Sequence, residues 1–371
     1  MKIGIDTFGC DHGRSGIGSY FSSLVQNFNN NDEVEFELFG AEIDRYTYAR
    51  DNNLSFESIL LPDSPKAEKF WHHFLCNRFA RKRKYDVMLF PASSTALPSH
   101  FGVPSVAVVN DIVSNLFASK TFSERLRLKR SLKKVNKIIA ASQYIKKDLK
   151  RIGIKPEKIV VIHNGINHSM FYQVDLLNND YIEINPFSIR RPYFIYSSTM
   201  SSSLKHHCDL IKAFELFKDK TGLPHRLVLA GGAGAATEDV KRTALESKYA
   251  SDIFLTGYFP HETFPALYSG SEACVFPSEI EGVGLPVLEA MASGIPVACS
   301  NGGALTEVAG DKAILFNSEN LNEIADAMEK ICTDKKFRKS MIEQGVDWAK
   351  RFSWEKTAQE TLEVLKSVVK K

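Results

Sequence analysis

The sequence predicts an α/β protein of two Rossmann-like domains that face each other across a cleft. Short apolar strands alternate with helix-length segments throughout each half, which is typical of a parallel sheet covered by helices. A polar, irregular stretch separates the two halves. The length of 371 residues, 44% hydrophobic and 25% charged, suits two ordinary globular domains.

The first alternation begins with the apolar strand KIGID, a glycine-rich loop and SYFSSLVQNF, which has helical spacing. Further strands are predicted at 34–39, 86–90, 105–109, 137–140 and 158–163. We therefore expect a first domain over residues 1–180.

The segment DLLNNDYIEINPFSIRRP is polar, contains two prolines and is interpreted as a linker. Strands are predicted beyond it at 193–197, 226–230, 253–256, 273–276, 296–299 and 313–316. They indicate a second domain over residues 181–350, and residues 351–371 are expected to form a helix that packs back on the first domain. The carboxyl ends of the two sheets would meet at the cleft, where such folds bind ligands.

Composition excludes several classes of protein. No apolar run approaches the roughly 18 residues of a membrane-spanning helix. The start, MKIGIDTFGCDHG, lacks the unbroken apolar stretch of a signal peptide. We expect a cytoplasmic protein, peripheral at the inner face of the cell membrane. The six cysteines have no close-spaced pair, so neither a metal site nor a disulfide framework is expected.

Positive charge is concentrated in the first half, with 21 basic against 6 acidic residues between Lys66 and Lys158. Such a field suits an anionic partner. The stretch 66–85 also carries aromatic side chains, and 123–137 is a second basic run. Two interpretations stay open: the aromatic side chains insert into an anionic membrane surface, or they pack into the core. No nucleic-acid motif accompanies the charge, so nucleic-acid binding is disfavoured.

The most informative segment is SEIEGVGLPVLEAMASGIPVACSNGGALTEVAG, residues 278–310. Pro286 suits the first turn of a helix, and the glycines before it allow close backbone approach. The free N–H groups and positive end of such a helix favour a phosphate or pyrophosphate. Glu281 precedes the helix and Glu289 lies about one turn inside it, so both carboxylates could accept hydroxyl groups in one cleft. The alternative is a plain helix entry with two solvated glutamates.

This segment resembles the signature of the retaining GT-B glycosyltransferases of family four, which use nucleotide-sugar donors. RSGIGSY, IHNGIN, LTGYFPHETFPALYSGSEACVFPS and RFSWEK agree with the family in order and spacing. The resemblance implies that Glu281 contacts the donor sugar and that Glu289 holds the ribose. It further implies that Lys205 neutralises the phosphates. Loop positions near the nucleotide would be Gly16, Gly18, Gly231, Gly282, Val283, Gly284 and Leu285.

Two positions depart from the family pattern. Met200 stands where relatives often carry Arg, and Asn110-Asp111 stands where many carry His-Asp, with Asn110 and Asp111 expected at the catalytic centre. Asn donates a hydrogen bond but holds no positive charge. A catalytically silent homologue that binds nucleotide-sugar or glycan as a partner subunit is therefore the alternative to an enzyme. A sugar-nucleotide epimerase is a third possibility.

The resemblance implies a hexosyltransferase without a protein nucleophile, in which the departing diphosphate helps to take the proton of the incoming hydroxyl. No cofactor is expected beyond the nucleotide-sugar, GDP-mannose first and a UDP-sugar second. No Asp-x-Asp triplet occurs in the chain, so metal independence is expected. The expected acceptor is a glycan or polyprenyl-linked sugar of surface polysaccharide.

Overall fold

The computed structural model describes residues 1–49, 53–62, 64–92, 97–118, 120–174, 181–184 and 187–369. They form two compact units, one of residues 1–165 with 353–371 and the other of residues 166–352. Parts of the predicted linker, 175–180 and 185–186, lie outside the described residues, as does the predicted boundary at residue 180.

The first unit contains a seven-stranded parallel sheet of order β3-β2-β1-β4-β5-β6-β7. Its strands are β1 (Lys2–Asp6), β2 (Glu35–Gly40), β3 (Ser55–Ser58), β4 (Val87–Pro91), β5 (Ser105–Val109), β6 (Lys137–Ala140) and β7 (Ile159–Val161). Its helices include α1 (Gly16–Val25), α2 (Asp44–Tyr48), α3 (Pro65–Phe74), α4 (Cys76–Arg83), α5 (Val113–Ala118), α6 (Phe122–Lys134) and α7 (Gln143–Arg151). Every residue of β4 and β5 is buried, as expected of central strands covered on both faces.

The second unit contains a six-stranded parallel sheet of order β12-β11-β10-β13-β14-β15 and a separate antiparallel pair, β8-β9. Its strands are β8 (Tyr181–Ile184), β9 (Phe187–Arg190), β10 (Tyr193–Ser197), β11 (Arg226–Ala230), β12 (Ile253–Gly257), β13 (Ala273–Phe276), β14 (Val297–Ser300) and β15 (Ile314–Phe316). Its helices are α8 (His207–Thr221), α9 (Thr237–Glu246), α10 (Phe264–Gly270), α11 (Leu285–Ala292), α12 (Leu305–Ala309), α13 (Leu321–Thr333) and α14 (Lys335–Ala349).

The chain returns to the first unit through α15 (Trp354–Val368), which the Ser353 hydroxyl caps by accepting the N–H of Lys356. Trp354 packs edge-on against Tyr20 of α1. Leu365 is fully buried in the same core. The apolar stripe of α15 is thus part of the first domain's core.

One sequence interpretation needs correction. Described residues of the predicted linker form β8 and β9, where Ile182 and Ile189 face each other and are both buried. The two compact units divide between Gly165 and Ile166. The N–H of Ile166 already donates to the carbonyl of Phe352, 3.2 Å away, which ties it to the second unit.

Among the residues the structure describes, no helix has both the length and the apolar character needed to cross a bilayer.

Candidate active site

The second sheet changes direction between β10 and β13, since the strands that follow β10 in the chain lie to one side and β13 to the other. Loops that leave the carboxyl ends of two such strands diverge and open a crevice, the usual ligand site of parallel α/β sheets. Residues 198–206 follow β10, and residues 277–284 follow β13. Topology therefore brings Lys205 and Glu281 to one crevice of the second domain.

Lys205 and Glu281 form a direct ion pair, with 2.5 Å between Nζ and Oε1. Their side chains are 21% and 18% exposed, so both are accessible from one side only. Lys205 ends a short 3₁₀ turn, and the phenol of Tyr196 on β10 donates to its carbonyl at 2.9 Å. These contacts fix the cation beside the carboxylate.

The loop that carries Glu281 is held from two sides. The N–H of Glu279 donates to the carbonyl of Leu204, and the carbonyl of Glu281 accepts the N–H of Ala304, each at 2.9 Å. A Cβ on Gly303 would lie 2.5 Å from both the N and the O of Glu281. Only glycine allows this approach, so the SNGG segment after β14 supports the loop directly.

Helix α11 begins at the rim of this loop. Gly284 precedes it with φ +82°, and Pro286 lies in its first turn. Among the described residues no side chain caps this helix; Pro286 carries no N–H, and the N–H of Val287 donates to the carbonyl of Gly284 at 3.1 Å. The positive end of the helix dipole therefore lies at Gly284 and Leu285, and such a helix start favours a phosphate group.

Glu289 lies on the second turn of α11 and is half-buried. Burial first, and then the Glu289 carboxylate, raise the pKa of Tyr268. The Tyr268 hydroxyl lies 2.5 Å from Ser197 Oγ at the end of β10. The Glu289 carboxylate is thus within electrostatic reach of Tyr268, whose hydroxyl contacts the last residue of β10.

Gly231 follows β11, where a Cβ would lie 1.9 Å from the carbonyl oxygen of Ser198. Its N–H donates to the carbonyl of Gly257. The glycine therefore allows the loops after β10 and β11 to touch. This packing requirement stands beside the role in nucleotide binding that the resemblance implies.

Met200 stands where the family often has an arginine, and its uncharged side chain is buried. His206, the residue after Lys205, has a left-handed backbone conformation with φ +52°. Its ring nitrogens lie 2.7 Å from Asp209 Oδ2 and 3.3 Å from Glu279 Oε2. Burial lowers the pKa of the adjacent His207 to about 4, so His207 is neutral at physiological pH.

The remaining predicted residues lie in the first domain. Gly16 is open to solvent, whereas a Cβ on Gly18 would lie 2.1 Å from the carbonyl of Cys10. Asn110 follows β5 and is buried, and its Oδ1 has no hydrogen-bond partner within the described ranges. Asp111 is exposed, yet desolvation by its surroundings raises its carboxyl pKa.

Sequence reasoning missed the residues that support the site. Tyr196 reads as an ordinary strand residue, and Gly303 reads as part of a turn. Tyr196 contacts Lys205 and Gly303 contacts Glu281 only because of the order of the strands in the sheet. The SNGG segment at the end of a strand indicated a tight turn at Gly303. It did not indicate that this glycine would pack against the backbone of Glu281.

The cysteines are all free. Folding brings Cys332 near His225 and Glu272, with one ligand-type atom of each inside 4.8 Å. Arg338 forms an ion pair with Glu272 in this cluster, with 3.0 Å between Nε and Oε1. Spacing along the chain did not predict this cluster, because its members come from three distant segments.

Comparison with known proteins gives matches across both domains. Residues 14–170 match the family described as Glycosyltransferase Family 4, and residues 179–348 match Glycosyl transferases group 1. Each half of the chain thus matches one glycosyltransferase family model. Lys205, Glu281 and Glu289 all lie in the group 1 glycosyltransferase domain.

Relatives of this chain include O-antigen chain mannosyltransferase B of Escherichia coli, 32% identical over 174 residues. That match covers 47% of this chain and 45% of the relative. The serotype-specific mannosyltransferase WbdA of Escherichia coli is 33% identical over 174 residues, 46% of this chain and 21% of its own length. The chain thus spans less than half the length of these relatives.

Solved structures share the fold of this chain over nearly its whole length. Sucrose-phosphate synthase from Thermosynechococcus elongatus aligns with a TM-score of 0.74 at 16% identity, covering 99% of this chain and 98% of that one. Anabaena Alr3699/HepE in complex with UDP-glucose aligns with a TM-score of 0.73 at 16% identity, covering 99% and 100%. The predicted fold class, two Rossmann-like domains of the GT-B type, is confirmed.

Proposed function

We propose that this chain is a retaining hexosyltransferase that moves mannose from GDP-mannose to a glycan or lipid-linked acceptor in surface polysaccharide biosynthesis. The observation that carries the proposal is the Lys205–Glu281 ion pair beside the uncapped start of α11. A cation and a carboxylate thus lie beside the positive end of a helix, and this combination supports the proposal. A nucleoside-diphosphate sugar presents phosphates and hydroxyls, which these groups recognise.

In the proposed reaction the acceptor oxygen forms a bond to the anomeric carbon as the bond to the diphosphate breaks. The electron pair leaves with the diphosphate, which also takes the acceptor's proton. Negative charge grows on the leaving group, so positive electrostatics near it lowers the barrier. Lys205 and the α11 amides supply that field, and Glu281 orients the sugar through its hydroxyls. No metal ion is needed for this scheme, and we expect a chelator to leave turnover unchanged.

Mannose is the preferred sugar because the relatives named above are mannosyltransferases. A UDP-sugar is the second candidate, since one solved neighbour was obtained with UDP-glucose. Pure protein should be incubated with a panel of GDP- and UDP-sugars and a mannose-terminated acceptor, and nucleotide release and product should be measured. Acceptor-dependent release of GDP is the expected result. If nucleotide-sugars bind but no nucleotide is released across the panel, the chain is a silent partner subunit. If one nucleotide-sugar is converted into another without acceptor, the chain is an epimerase.

An anionic membrane surface is proposed as a second partner. On α3, Trp71 is buried against Phe39, but Phe70 and Phe74 are 57% and 69% exposed and pack on each other. On α6, Phe122 is 80% exposed. Aromatic side chains that project among lysines and arginines suit the interface of an acidic bilayer.

Sedimentation with vesicles tests this partner. Wild-type protein should sediment with vesicles that contain anionic lipid and remain in solution with neutral ones. A Phe70→Ser/Phe74→Ser double variant should lose most of the binding, whereas Leu245→Ser, at an exposed leucine of the second domain, should not. Equal recovery with neutral and anionic vesicles would contradict the proposal.

A further inference from the structure

The first sheet also changes direction, between β1 and β4, so the loop after β1 opens a crevice at the carboxyl edge of the first domain. Residues 7–15 form this loop. It carries an imidazole and is bordered by several carboxylates. None of these groups takes part in the donor site described above.

His12 lies in this loop with its Nδ1 2.7 Å from Oδ1 of Asp44. The Asp44 side chain is only 2% exposed, whereas that of His12 is 38% exposed. Asp44 Oδ2 accepts the hydroxyl of Thr7 at 2.7 Å. A buried carboxylate that already holds a hydroxyl therefore fixes a partly exposed imidazole.

The direction of this hydrogen bond decides which ring nitrogen is available. A carboxylate only accepts, so Nδ1–H donates to Asp44, and Nε2 of the neutral ring keeps its lone pair. Within the described part of the chain, Nε2 has no hydrogen-bond partner, and the His12 side chain is 38% exposed. The imidazole therefore offers a hydrogen-bond acceptor that the protein itself does not use.

The loop holds His12 in an unfavourable backbone conformation. Asp11 and His12 have φ of +48° and +51°, a region that non-glycine residues seldom occupy. Such strain persists only where the surroundings impose it, and it is frequent at functional sites. Here α2 supplies the constraint, because Thr47 donates to the carbonyl of His12 and Asp44 holds the ring.

A second anchor fixes the start of the loop. Asp6 and His72 are fully buried, with Asp6 Oδ2 2.8 Å from His72 Nε2. Asp6 Oδ1 accepts the N–H of Phe8. The strand end, the loop and α3 are thus tied together beneath His12.

Carboxyl groups surround His12. Asp44 contacts the ring directly, Asp6 is paired with His72, and Glu68 is half-buried close to both aspartates. Desolvation raises the carboxyl pKa of Glu68, His72 lowers it, and Asp6 and Asp44 raise it, so these four groups lie within electrostatic reach of one another. A neutral polyol would find several hydrogen-bond acceptors here.

From this geometry we infer that the His12–Asp44 dyad is a binding site for a sugar hydroxyl of the acceptor, with Nε2 of His12 as the contact atom. The inference rests on the proposed transferase function and assigns the acceptor side of that function to named residues. Asp44 acts through His12 as a positioning residue.

The test is kinetic. Initial rates at varied acceptor and saturating donor should be measured for wild type, His12→Gln and Asp44→Asn, with the exposed His100→Gln as the matched control. Loss of one oriented hydrogen bond should lower kcat/KM for the acceptor by about tenfold in both dyad variants. Donor KM and acceptor-independent donor hydrolysis should stay at the wild-type values. A role limited to holding the loop would instead lower thermal stability and leave the acceptor KM unchanged.

A binding experiment separates failure of this inference from failure of the proposed function. Nitrogen-15 spectra of the histidine side chains should show His12 as the Nδ1–H tautomer, and its Nε2 signal should shift when methyl α-mannoside is added but not with inorganic phosphate. Wild-type transfer with unchanged acceptor kinetics in His12→Gln would overturn the dyad alone. If the wild-type protein transfers no sugar, the proposed function fails. If the Nε2 signal of His12 also stays unchanged when the saccharide is added, the dyad is overturned as well.

Discussion

At the residue scale, the proposed donor site depends on a lysine whose charge is already paired. Glu281 holds Lys205, so a diphosphate would meet a cation in place rather than a flexible side chain. The ordering cost of the lysine is met during folding, which is the physical meaning of preorganisation.

Removal of this cation should be severe. Lys205→Ala should lower donor turnover by about 10²- to 10³-fold, because charge on the leaving diphosphate loses its partner. Lys205→Arg keeps the charge and should retain part of the rate. The control is Lys241→Ala, at an exposed lysine of α9. Stopped assays of nucleoside diphosphate release measure the effect, and normal turnover in Lys205→Ala would remove this residue from the mechanism.

Glu289 should act on binding rather than on the chemical step. Glu289→Ala should weaken nucleotide affinity by about tenfold, since a carboxylate that accepts ribose hydroxyls is lost. Isothermal titration with GDP and UDP checks this expectation. Glu238→Ala, at an exposed glutamate of α9, serves as the control and should bind as wild type does. Unchanged affinity in Glu289→Ala would place the ribose elsewhere.

At the element scale, alternation of apolar segments predicted both parallel sheets, and several strands, such as β5 and β10, within their observed bounds. The edge strand β3 was missed because SFES is short and polar. The β8–β9 pair was missed because the surrounding segment contains prolines and asparagines and resembles a loop. The pair is stabilised by Ile182 and Ile189, which face each other across it.

The candidate site was predicted less completely than the fold. The residues that carry charge, Lys205 and Glu281, followed from motif resemblance. Their supports did not, because Tyr196 and Gly303 reach them only through strand order. The His12–Asp44 pair was also missed, since it joins residues 32 positions apart.

The glycine segment after β14 gives a matched test of loop support. Gly303→Ala should lower donor turnover by about tenfold or more, because its Cβ would displace Glu281. Gly222 has a similar φ of +63° with no atom within 4 Å of an added Cβ. Gly222→Ala should therefore cost about 1 kcal/mol of stability and leave turnover unchanged. Equal activity of the two variants would show that Gly303 does not support the site.

Buried histidines should make the second domain sensitive to acid. Burial lowers the pKa of His207 and of His225 from 6.5 to about 4. The unfolded chain binds these protons near pH 6.5 and the folded chain only near pH 4. The free energy of unfolding should thus be constant above about pH 7 and fall by up to about 3 kcal/mol per histidine between those values.

Denaturant unfolding at about pH 7 and about pH 5 measures this loss. His207→Phe keeps a ring against Tyr196, 4.6 Å away in the wild type, and removes one titrating group. Its acid loss should be smaller than that of wild type, with the remainder due to His225. An identical pH profile for this variant would contradict the assignment.

At the scale of the whole molecule, the two domains carry complementary chemistry. The second domain holds a cation, carboxylates and a helix start suited to a sugar diphosphate. The first domain has carboxylates and an oriented imidazole at its own sheet switch point, and a basic, aromatic surface on α3 and α6. Donor recognition, acceptor recognition and attachment to a membrane are thereby assigned to separate surfaces that separate variants can test.

The most direct measurement of the central claim is a crystal structure of the protein with GDP bound. The diphosphate oxygens should lie within hydrogen-bond distance of Lys205 Nζ and of the backbone amides at Gly284 and Leu285, with the ribose at Glu289. A nucleotide that binds away from the loops after β10 and β13, or that leaves the Lys205–Glu281 pair untouched, would contradict the account.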